Sequence, residues 1–315
     1  MIRYRPFRNT DPPAIAEIWR SQPPSRALVQ PMSPDLLEQH VLSKLYFDRA
    51  GFILAEEAER PVGFVHAAFG ANESGSAIDQ HTGVTCIVMA IPHEQHDQLV
   101  QGLLEQSEQY LRSRGASQLY GGGFAAVNPF YLGLYGGSQL PGILDSDTEL
   151  TQLFHDAGYR PEQSNCVLQR RISDFRPIVD RQQMQIRRRY QITASFDPPP
   201  KSWWDACVLS QLNCTHFQVS AREGGESIGT ATFWDVEPLA SSWGIHAGGL
   251  LEFEMEVEHR TQGIGLFLLG EAMRQLQSHG ITMVEVQIPA DQPIDASMYQ
   301  RLGFEQVDKG TVFEK

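Results

Sequence analysis

The sequence predicts an α/β (α+β) protein made of two tandem units. Two observations support this. First, the same order of elements occurs in each half: a strand, a loop, a long amphipathic helix, a second strand, and a short helix that ends at a Gly-aromatic turn. Second, sliding the halves by 165 residues aligns Gly115 with Gly280, at the ends of the long helices, and Leu103-Leu104 with Leu268-Leu269. An internal duplication explains both.

In the second half, the alternation of apolar and polar residues over 250–257 predicts a half-buried strand. A helix follows and ends near Gly280, since apolar residues recur on one stripe at Leu266, Leu269, Met273 and Leu276. Residues 281–288 predict a further strand, and 295–302 a short helix. Upstream, residues 216–220 and 228–234 predict a β-hairpin.

The first half repeats this order with a strand over 85–91, a loop at 93–97, a helix through Leu99 to Leu111, and a short helix over 150–157. It also contains an insertion rich in glycine and aromatic residues, Asn128 to Gly137. The insertion is too apolar for a disordered linker, so we expect an ordered, packed loop. The domain boundary is expected between about 172 and 200, which gives units of 1–174 and 175–315.

Composition limits the functional classes. The net charge of −13 argues against nucleic acid and against an anionic membrane surface as partners. It suits a small amine or cationic substrate, although solubility accounts for the same charge. No signal peptide or membrane-length apolar run is visible, and the four cysteines lack CxxC spacing. We therefore expect a cytoplasmic monomer or homodimer with reduced thiols and no metal.

The most informative segment is Arg260-Thr261-Gln262-Gly263-Ile264-Gly265, between the predicted strand and the long helix. Glycines allow close approach to a ligand, and the N–H groups at a helix start favour phosphate. An RxxGxG string by itself is equally typical of an ordinary strand-to-helix turn, so its surroundings decide the interpretation.

Three features in order resemble the GNAT family of N-acetyltransferases: the strand and RxxGxG loop, the helix and strand after it, and Ala296-x-x-Tyr299-x-x-x-Gly303-Phe304. The whole chain resembles tandem members such as the mycothiol-synthase-like proteins. The resemblance implies that each unit is a mixed, mostly antiparallel sheet flanked by helices. It also implies acetyl-CoA (acetyl-coenzyme A) as the acyl donor, bound through Met255, Glu256, Val257, Arg260, Thr261, Gln262, Gly263, Ile264, Gly265 and Leu266.

The resemblance assigns Tyr299 as the general acid that protonates the departing thiolate. Glu252 and Glu254 are both candidate bases, and with Glu256 they are expected on one strand face. A solvated sheet face explains the same pattern. The family's usual glutamate position is Gly249 here, a β-bulge would shift the facing, and His246 is a weaker candidate base. Gln292 stands where the family often has asparagine.

The first unit is predicted to be a degenerate, structural copy. At the 165-residue offset Gln98 and Val100 replace the two loop glycines, and in the short helix before the Gly-aromatic turn Phe154 stands in the place of Tyr299. Tyr131 and Tyr135 on the insertion either shape the substrate pocket or pack between the units.

These observations predict an acetyl-CoA-dependent N-acetyltransferase that transfers acetyl to a small amine by direct attack in a ternary complex. The alternative is a non-catalytic protein that binds acyl-coenzyme A for sensing or as a scaffold. A transferase for longer acyl chains is a third hypothesis.

Overall fold

The computed structural model describes residues 1–123, 127–291 and 293–315, with side chains for all of these except 293–296. Within these ranges the strands form one 13-stranded sheet that is mostly antiparallel and carries helices on both faces. The predicted fold class, a mixed and mostly antiparallel sheet flanked by helices, is confirmed.

The elements of the first half include the predicted order of strand, long helix, strand and short helix, together with elements that the sequence did not predict. They are β1 (Ile2–Pro6), α1 (Pro12–Arg20), α2 (Pro34–Leu37) with a following π turn (Glu38–Leu42), β2 (Phe52–Glu57), β3 (Arg60–Ala71), β4 (Ile78–Ala90), α3 (His96–Ser113), β5 (Gln118–Gly121), β6 (Ile143–Leu144), α4 (Thr148–Asp156) and β7 (Arg160–Arg171). The predicted order is that of β4, α3, β5 and α4.

The second half adds one helix before its first strand. Its elements are α5 (Arg181–Arg189), β8 (Tyr190–Phe196), α6 (Trp203–Leu209), β9 (Cys214–Ala221), β10 (Ser227–Asp235), α7 (Glu237–Trp243), β11 (Ala247–Met255), a 3-10 turn (Val257–His259), α8 (Ile264–Ser278), β12 (Met283–Pro289), α9 (Pro293–Arg301) and β13 (Glu305–Glu314).

The strand order reveals an exchange between the two halves. The sheet runs β1-β2-β3-β4-β5-β13-β7-β12-β11-β10-β9-β8, with β6 attached to β13. The last strand of the second half, β13, therefore lies between β5 and β7 of the first half. In turn β7 lies between β13 and β12. Each half thus gives its final strand to the sheet of the other, and the two halves are joined at the centre by main-chain hydrogen bonds.

The pairing registers reproduce the predicted offset of 165 residues. A β-bulge occurs at Cys86 in β4 and another at Leu251 in β11. The parallel pairs Thr82↔Gln118 and Ala247↔Met283 are related by the same spacing. The bulge corrects one expectation. The strand predicted over 250–257 does not alternate without interruption, and it ends at Met255.

Two apolar clusters place the halves relative to each other. The predicted apolar stripe of α8 is buried against the inner faces of β9, β10 and β11, with Phe217, Phe233 and Leu250. A second cluster joins both halves and contains Trp19, Phe130, Tyr131, Trp204 and Trp234. The insertion of the first half belongs to this second cluster, so the expected ordered, packed loop is confirmed. Among the described residues no helix is both long and apolar enough to span a membrane.

Candidate functional site

The site is built around a wedge between two parallel strands. β11 and β12 pair over three positions, from Ala247↔Met283 to Gly249↔Glu285. Beyond that point β11 continues beside β10, and β12 continues beside β7. β11 and β12 are not paired with each other beyond these three positions, so they separate toward their carboxyl ends. We call the gap between residues 250–255 and 286–289 the splay.

The loop that follows β11 closes the mouth of the splay. It passes through the 3-10 turn to Gly263, which has φ of +78° and precedes the first residue of α8. Only glycine adopts this left-handed backbone without strain. Gln182 and Gln183 of α5 donate side-chain hydrogen bonds to the carbonyls of Gln262 and Gly263, both at 3.0 Å. These bonds hold the loop against α5 through its carbonyl groups, so that its N–H groups lie on the side away from α5.

The start of α8 offers unpaired backbone donors. Among the described residues, the N–H groups of Gly263, Ile264, Gly265 and Leu266 have no hydrogen-bond acceptor, although residues 264–266 are buried. Buried N–H groups normally have a partner, and a helix start with four free donors favours an anion. The loop therefore fits a phosphate-bearing ligand.

Arg260 lies beside these donors. Its Nε donates to the carbonyl oxygen of Met255 at 3.1 Å, which holds the side chain against the end of β11. Its two terminal nitrogens have no partner among the described residues, so they remain able to contact a phosphate. Thr261 and Gln262 are exposed beside it. The segment from Met255 to Leu266 is therefore one continuous connection from the end of β11 to the first turn of α8.

Tyr299 is placed near the first turn of α8 through its neighbour Met298. A Cβ atom built on Gly265 would lie 3.4 Å from the Met298 sulfur and 3.0 Å from the Phe253 ring, so α9, β11 and α8 meet there. Tyr299 is 3% exposed, and its ring packs edge-on against Phe304 at 5.5 Å. Gln292, the predicted departure from the family pattern, lies outside the described residues.

Glu252 and Glu254 lie on the sheet face opposite α8. Phe253 and Met255 point toward α8, and alternation directs the two glutamates to the other side. Glu256 comes after the end of β11, so the expectation of three glutamates on one strand face is wrong for Glu256. Glu254 is exposed, while Glu252 is half-buried and ion-paired with Lys201.

The glutamates belong to a polar face that crosses three strands. Thr232 pairs with both His216 and Glu252, which places the three side chains in one row. His216 Nδ1 is 2.9 Å from the Thr232 hydroxyl. Burial opposes the charge of Lys201, but its hydrogen bond to Glu252 and the nearby carboxylates outweigh burial and raise the pKa of Lys201. This face can therefore hold a polar acceptor beside two carboxylates.

A cavity of about 640 Å³ lies at the opposite end of the second half. Its lining includes His246, Asp235, Leu276 and His279, next to the carboxyl end of α8. A helix of this length is about 22 Å long, so the cavity is remote from the loop at Gly263. His246, a predicted third base, is therefore separated from the other candidate residues.

The two residues that follow the insertion, Ser138 and Gln139, lie on the splay, which the sequence did not predict. Gln139 donates from its side-chain amide to the carbonyls of Leu250 and Leu251, at 3.0 and 2.8 Å. The N–H of Ser138 donates to Glu285 on β12 at 2.7 Å. The only sequence signal was the apolar, glycine-rich composition of the insertion, which indicated packing but no partner.

Tyr131 and Tyr135 contact other parts of the structure. Tyr131 is 2% exposed, stacks on Trp19, and is hydrogen-bonded to His66 at 2.9 Å. The Tyr135 hydroxyl accepts from the N–H of Leu144. Of the two interpretations left open by the sequence, the structure supports packing for both tyrosines.

The corresponding loop of the first half has a different construction. α3 is preceded by Gln95, which corresponds to Arg260, so this helix begins three residues earlier than α8. His96 in its first turn is ion-paired with Glu149 in the first turn of α4. His93 lies 3.0 Å from Glu57. Side chains and an added helical turn thus occupy the place of the glycine loop.

The family match falls in the second half of the chain. Residues 181–304 match the model of the acetyltransferase (GNAT) family, so the second half carries a GNAT acetyltransferase domain. This confirms the predicted resemblance and the prediction of an acetyltransferase. GNAT enzymes generally use acetyl-CoA. No curated protein matches the chain.

Solved structures resemble the chain over its whole length. A tandem GNAT protein from the clavulanic acid biosynthesis pathway is 13% identical, with a TM-score of 0.65 over 100% of this chain and 98% of that one. A GCN5-related N-acetyltransferase from Sphaerobacter thermophilus is 16% identical, with a TM-score of 0.65 over 100% and 95%. The glucosamine N-acetyltransferase region of a fungal multi-domain β-N-acetylglucosaminidase is 16% identical, with a TM-score of 0.72, and the match covers 100% of this chain and 38% of that one. At these identities the likeness establishes the fold, including its tandem arrangement.

Proposed function

We propose that the chain transfers an acetyl group from acetyl-CoA to the amine of a small acceptor, by direct attack in a ternary complex. The observation that carries this proposal is the set of unpaired N–H groups from Gly263 to Leu266, at a helix start beside the splay. Four donors and the helix dipole suit the pyrophosphate of coenzyme A.

The coenzyme is proposed to lie along the end of β11. Thr261, Gln262, Gly263, Ile264, Gly265 and Leu266 would surround the pyrophosphate, and Arg260 would add a charged contact through its terminal nitrogens. The backbone of Met255, Glu256 and Val257 would hydrogen-bond the pantetheine arm. The thioester would then lie in the splay, between the α8 face and the polar face.

The reaction needs one proton acceptor and one proton donor. A carboxylate, Glu252 or Glu254, takes a proton from the attacking amine, either directly or through water. The amine nitrogen forms a bond to the thioester carbon, and the carbon–sulfur bond breaks. Tyr299 gives its proton to the leaving thiolate and regains one from solvent. Both glutamates lie on the polar face, which suits an acceptor with a cationic amine.

The first unit is proposed to have lost this chemistry. We assign residues 1–174 to a degenerate GNAT unit and 175–315 to the catalytic unit. Phe154 is 1% exposed and has no proton to donate. We further propose a cytoplasmic monomer or homodimer, consistent with the four unpaired cysteines.

Purified protein incubated with acetyl-CoA and a panel of small amines tests the proposal through thiol release. We expect turnover with at least one amine. The Tyr299→Phe variant should lower kcat by about 100-fold, in the range for a lost general acid, with acetyl-CoA affinity within twofold. Tyr120→Phe is a matched control, because among the described residues the Tyr120 hydroxyl has no hydrogen-bond partner; its kcat should equal that of the wild type.

The two carboxylates are separated by Glu252→Gln and Glu254→Gln in the same assay. The base is the residue whose loss removes the rise of kcat/KM with pH. Acetyl-CoA binding without thiol release for any amine would instead favour the non-catalytic acyl-coenzyme-A-binding alternative. Turnover only with longer acyl donors would favour the third hypothesis.

A further inference from the structure

The side-chain amide of Gln139 binds two consecutive carbonyls of β11. In a regular strand the carbonyls of neighbouring residues point to opposite sides, so one side chain cannot reach both. The bulge at Leu251 breaks this alternation and turns the Leu250 and Leu251 carbonyls to the same side. Gln139 Nε2 donates one hydrogen to each, at 3.0 and 2.8 Å. Both backbone acceptors at the bulge are thereby satisfied by the first half of the chain.

Gln139 is held in place from β12 and β10. Gln287 Nε2 on β12 donates to the carbonyl of Gln139 at 2.8 Å, and Trp234 Nε1 on β10 donates to the carbonyl of Ser138 at 2.9 Å. The N–H of Ser138 donates to Glu285, which is fully buried. This approach requires Gly137, because a Cβ atom there would lie 1.8 Å from Glu285 Oε1. The segment directly after the insertion therefore bridges the two strands of the splay.

The distance along β11 from the loop before α8 to the bulge is comparable to the length of the pantetheine arm. The pantetheine arm, with about 13 chain atoms between phosphate and sulfur, spans roughly four residues, or ~14 Å when extended. An arm that starts beside Met255 to Val257 and runs back along β11 reaches its thioester between Phe253 and Leu251. The Leu250 and Leu251 carbonyls, and the Gln139 amide that covers them, thus lie at the level of the acetyl group.

We propose that Gln139 is a positioning residue for acyl transfer in the second unit, an inference that rests on the proposed function. Two uncovered carbonyl oxygens at this level would repel the acetyl oxygen, and would repel it more as negative charge develops on it. By donating a hydrogen bond to each carbonyl, the Gln139 amide removes this repulsion. The first unit then contributes a residue to the site of the second.

Calorimetry with acetyl-CoA and with free coenzyme A tests the proposal on the full-length chain. Gln139→Met keeps the side-chain volume and removes both donors. We expect the Kd for acetyl-CoA to rise about tenfold, the size of one lost buried hydrogen bond, and the Kd for free coenzyme A to stay within twofold, because it has no acetyl oxygen. The fold decrease in kcat should be larger than the fold decrease in acetyl-CoA affinity. Ser138→Ala is the matched control, because only backbone atoms of Ser138 make these contacts.

The outcomes are distinct. Equal changes in the two Kd values, or none, would overturn the role of Gln139 and leave the proposed function standing. A Gln139→Met protein with a lowered melting temperature and unchanged kcat would show a purely structural role, which also overturns it. Wild-type protein that binds neither coenzyme would refute the proposed function, and the inference with it.

Discussion

The helix starts at His96 and at Ile264 occupy equivalent places in the two halves and differ in what they leave free. In the second half Gly263 ends the loop in a left-handed conformation, and the N–H groups after it have no acceptor among the described residues. In the first half the helix is one turn longer. There the ion pair of His96 with Glu149 joins the start of α3 to the start of α4. The difference teaches that the two halves share a sheet register while a few loop residues decide whether the N–H groups at the helix start stay free.

The strands behind these loops differ in the same sense. Tyr120 on β5 corresponds to Glu285 on β12, and Phe154 corresponds to Tyr299. In the first pair the carboxylate, and in the second pair the phenol, lies in the second half. The charge of Glu285 is compensated largely by residues of the first half, chiefly Arg26 at 2.7 Å. Polar chemistry is thus concentrated in one half and supported by the other.

The largest expected effect comes from a substitution in the loop before α8, which the first half lacks. Gly263→Glu should weaken acetyl-CoA binding more than 100-fold in calorimetry, because a side chain there is strained at φ of +78° and places a carboxylate against the phosphates. Gln98→Glu is the matched change, since Gln98 occupies the equivalent place inside α3; its affinity should equal the wild type. Undiminished affinity in the Gly263 variant would exclude this loop as the coenzyme site.

The second effect concerns the contact between the halves. Arg26→Leu should lower the free energy of unfolding by about 3 kcal/mol in urea, because it leaves the buried Glu285 carboxylate without its ion pair. Adding Glu285→Gln to this variant should restore part of the loss, since no buried charge then remains. If the single variant unfolds like the wild type, Glu285 is adequately stabilised by Gln169 and Ser138 alone.

The smallest effect tests the ion pair that closes the first loop. Burial would lower the pKa of His96, but the hydrogen bond and charge of Glu149 outweigh it and raise the pKa. A raised folded-state pKa gives stability that is complete below about pH 6.5 and is lost as pH rises through the folded value. Between pH 6 and 8 the wild type should therefore lose about 0.5 kcal/mol more than His96→Gln, as expected for a largely exposed pair.

Thermal or urea unfolding at both pH values measures this difference. His155→Gln is a suitable control, because His155 is exposed on α4. An identical pH dependence in wild type and His96→Gln would mean that the pair with Glu149 contributes nothing to the folded state.

The sequence was sufficient for the periodic elements and for the loop. Alternation and helical stripes placed the strands and helices around the two loops, namely β4, α3, β5 and α4 in the first half and β9 to β12, α8 and α9 in the second, but not the other elements. The 165-residue offset predicted the register that relates Cys86 to Leu251. The bulge at Leu251 could not be located from the sequence, because a single extra residue leaves the local hydrophobic pattern nearly unchanged. Glycine at 263 was informative because few residues tolerate its backbone conformation.

Contacts between distant parts of the chain were not predictable in this way. Gln139 and Leu251 are far apart in sequence, and a glutamine in a glycine-rich loop has no periodic signal. The exchange of β7 and β13 was not predicted, because neither strand was placed from the sequence and the order of strands in a sheet depends on contacts between distant residues. The ion pair of Lys201 with Glu252 depends on the same kind of long-range placement.

The position of β13 at the centre of the sheet has a consequence for how the chain is made. β5 ends at Gly121, and its neighbour β13 ends at Glu314. At ~5–20 residues per second, translation of the intervening stretch takes roughly 10–40 s. During this time the first half emerges from the ribosome with an unpaired edge at β5, and such edges associate with other chains. We therefore expect the nascent first half to need protection until β13 has been synthesised and completes both halves in one step.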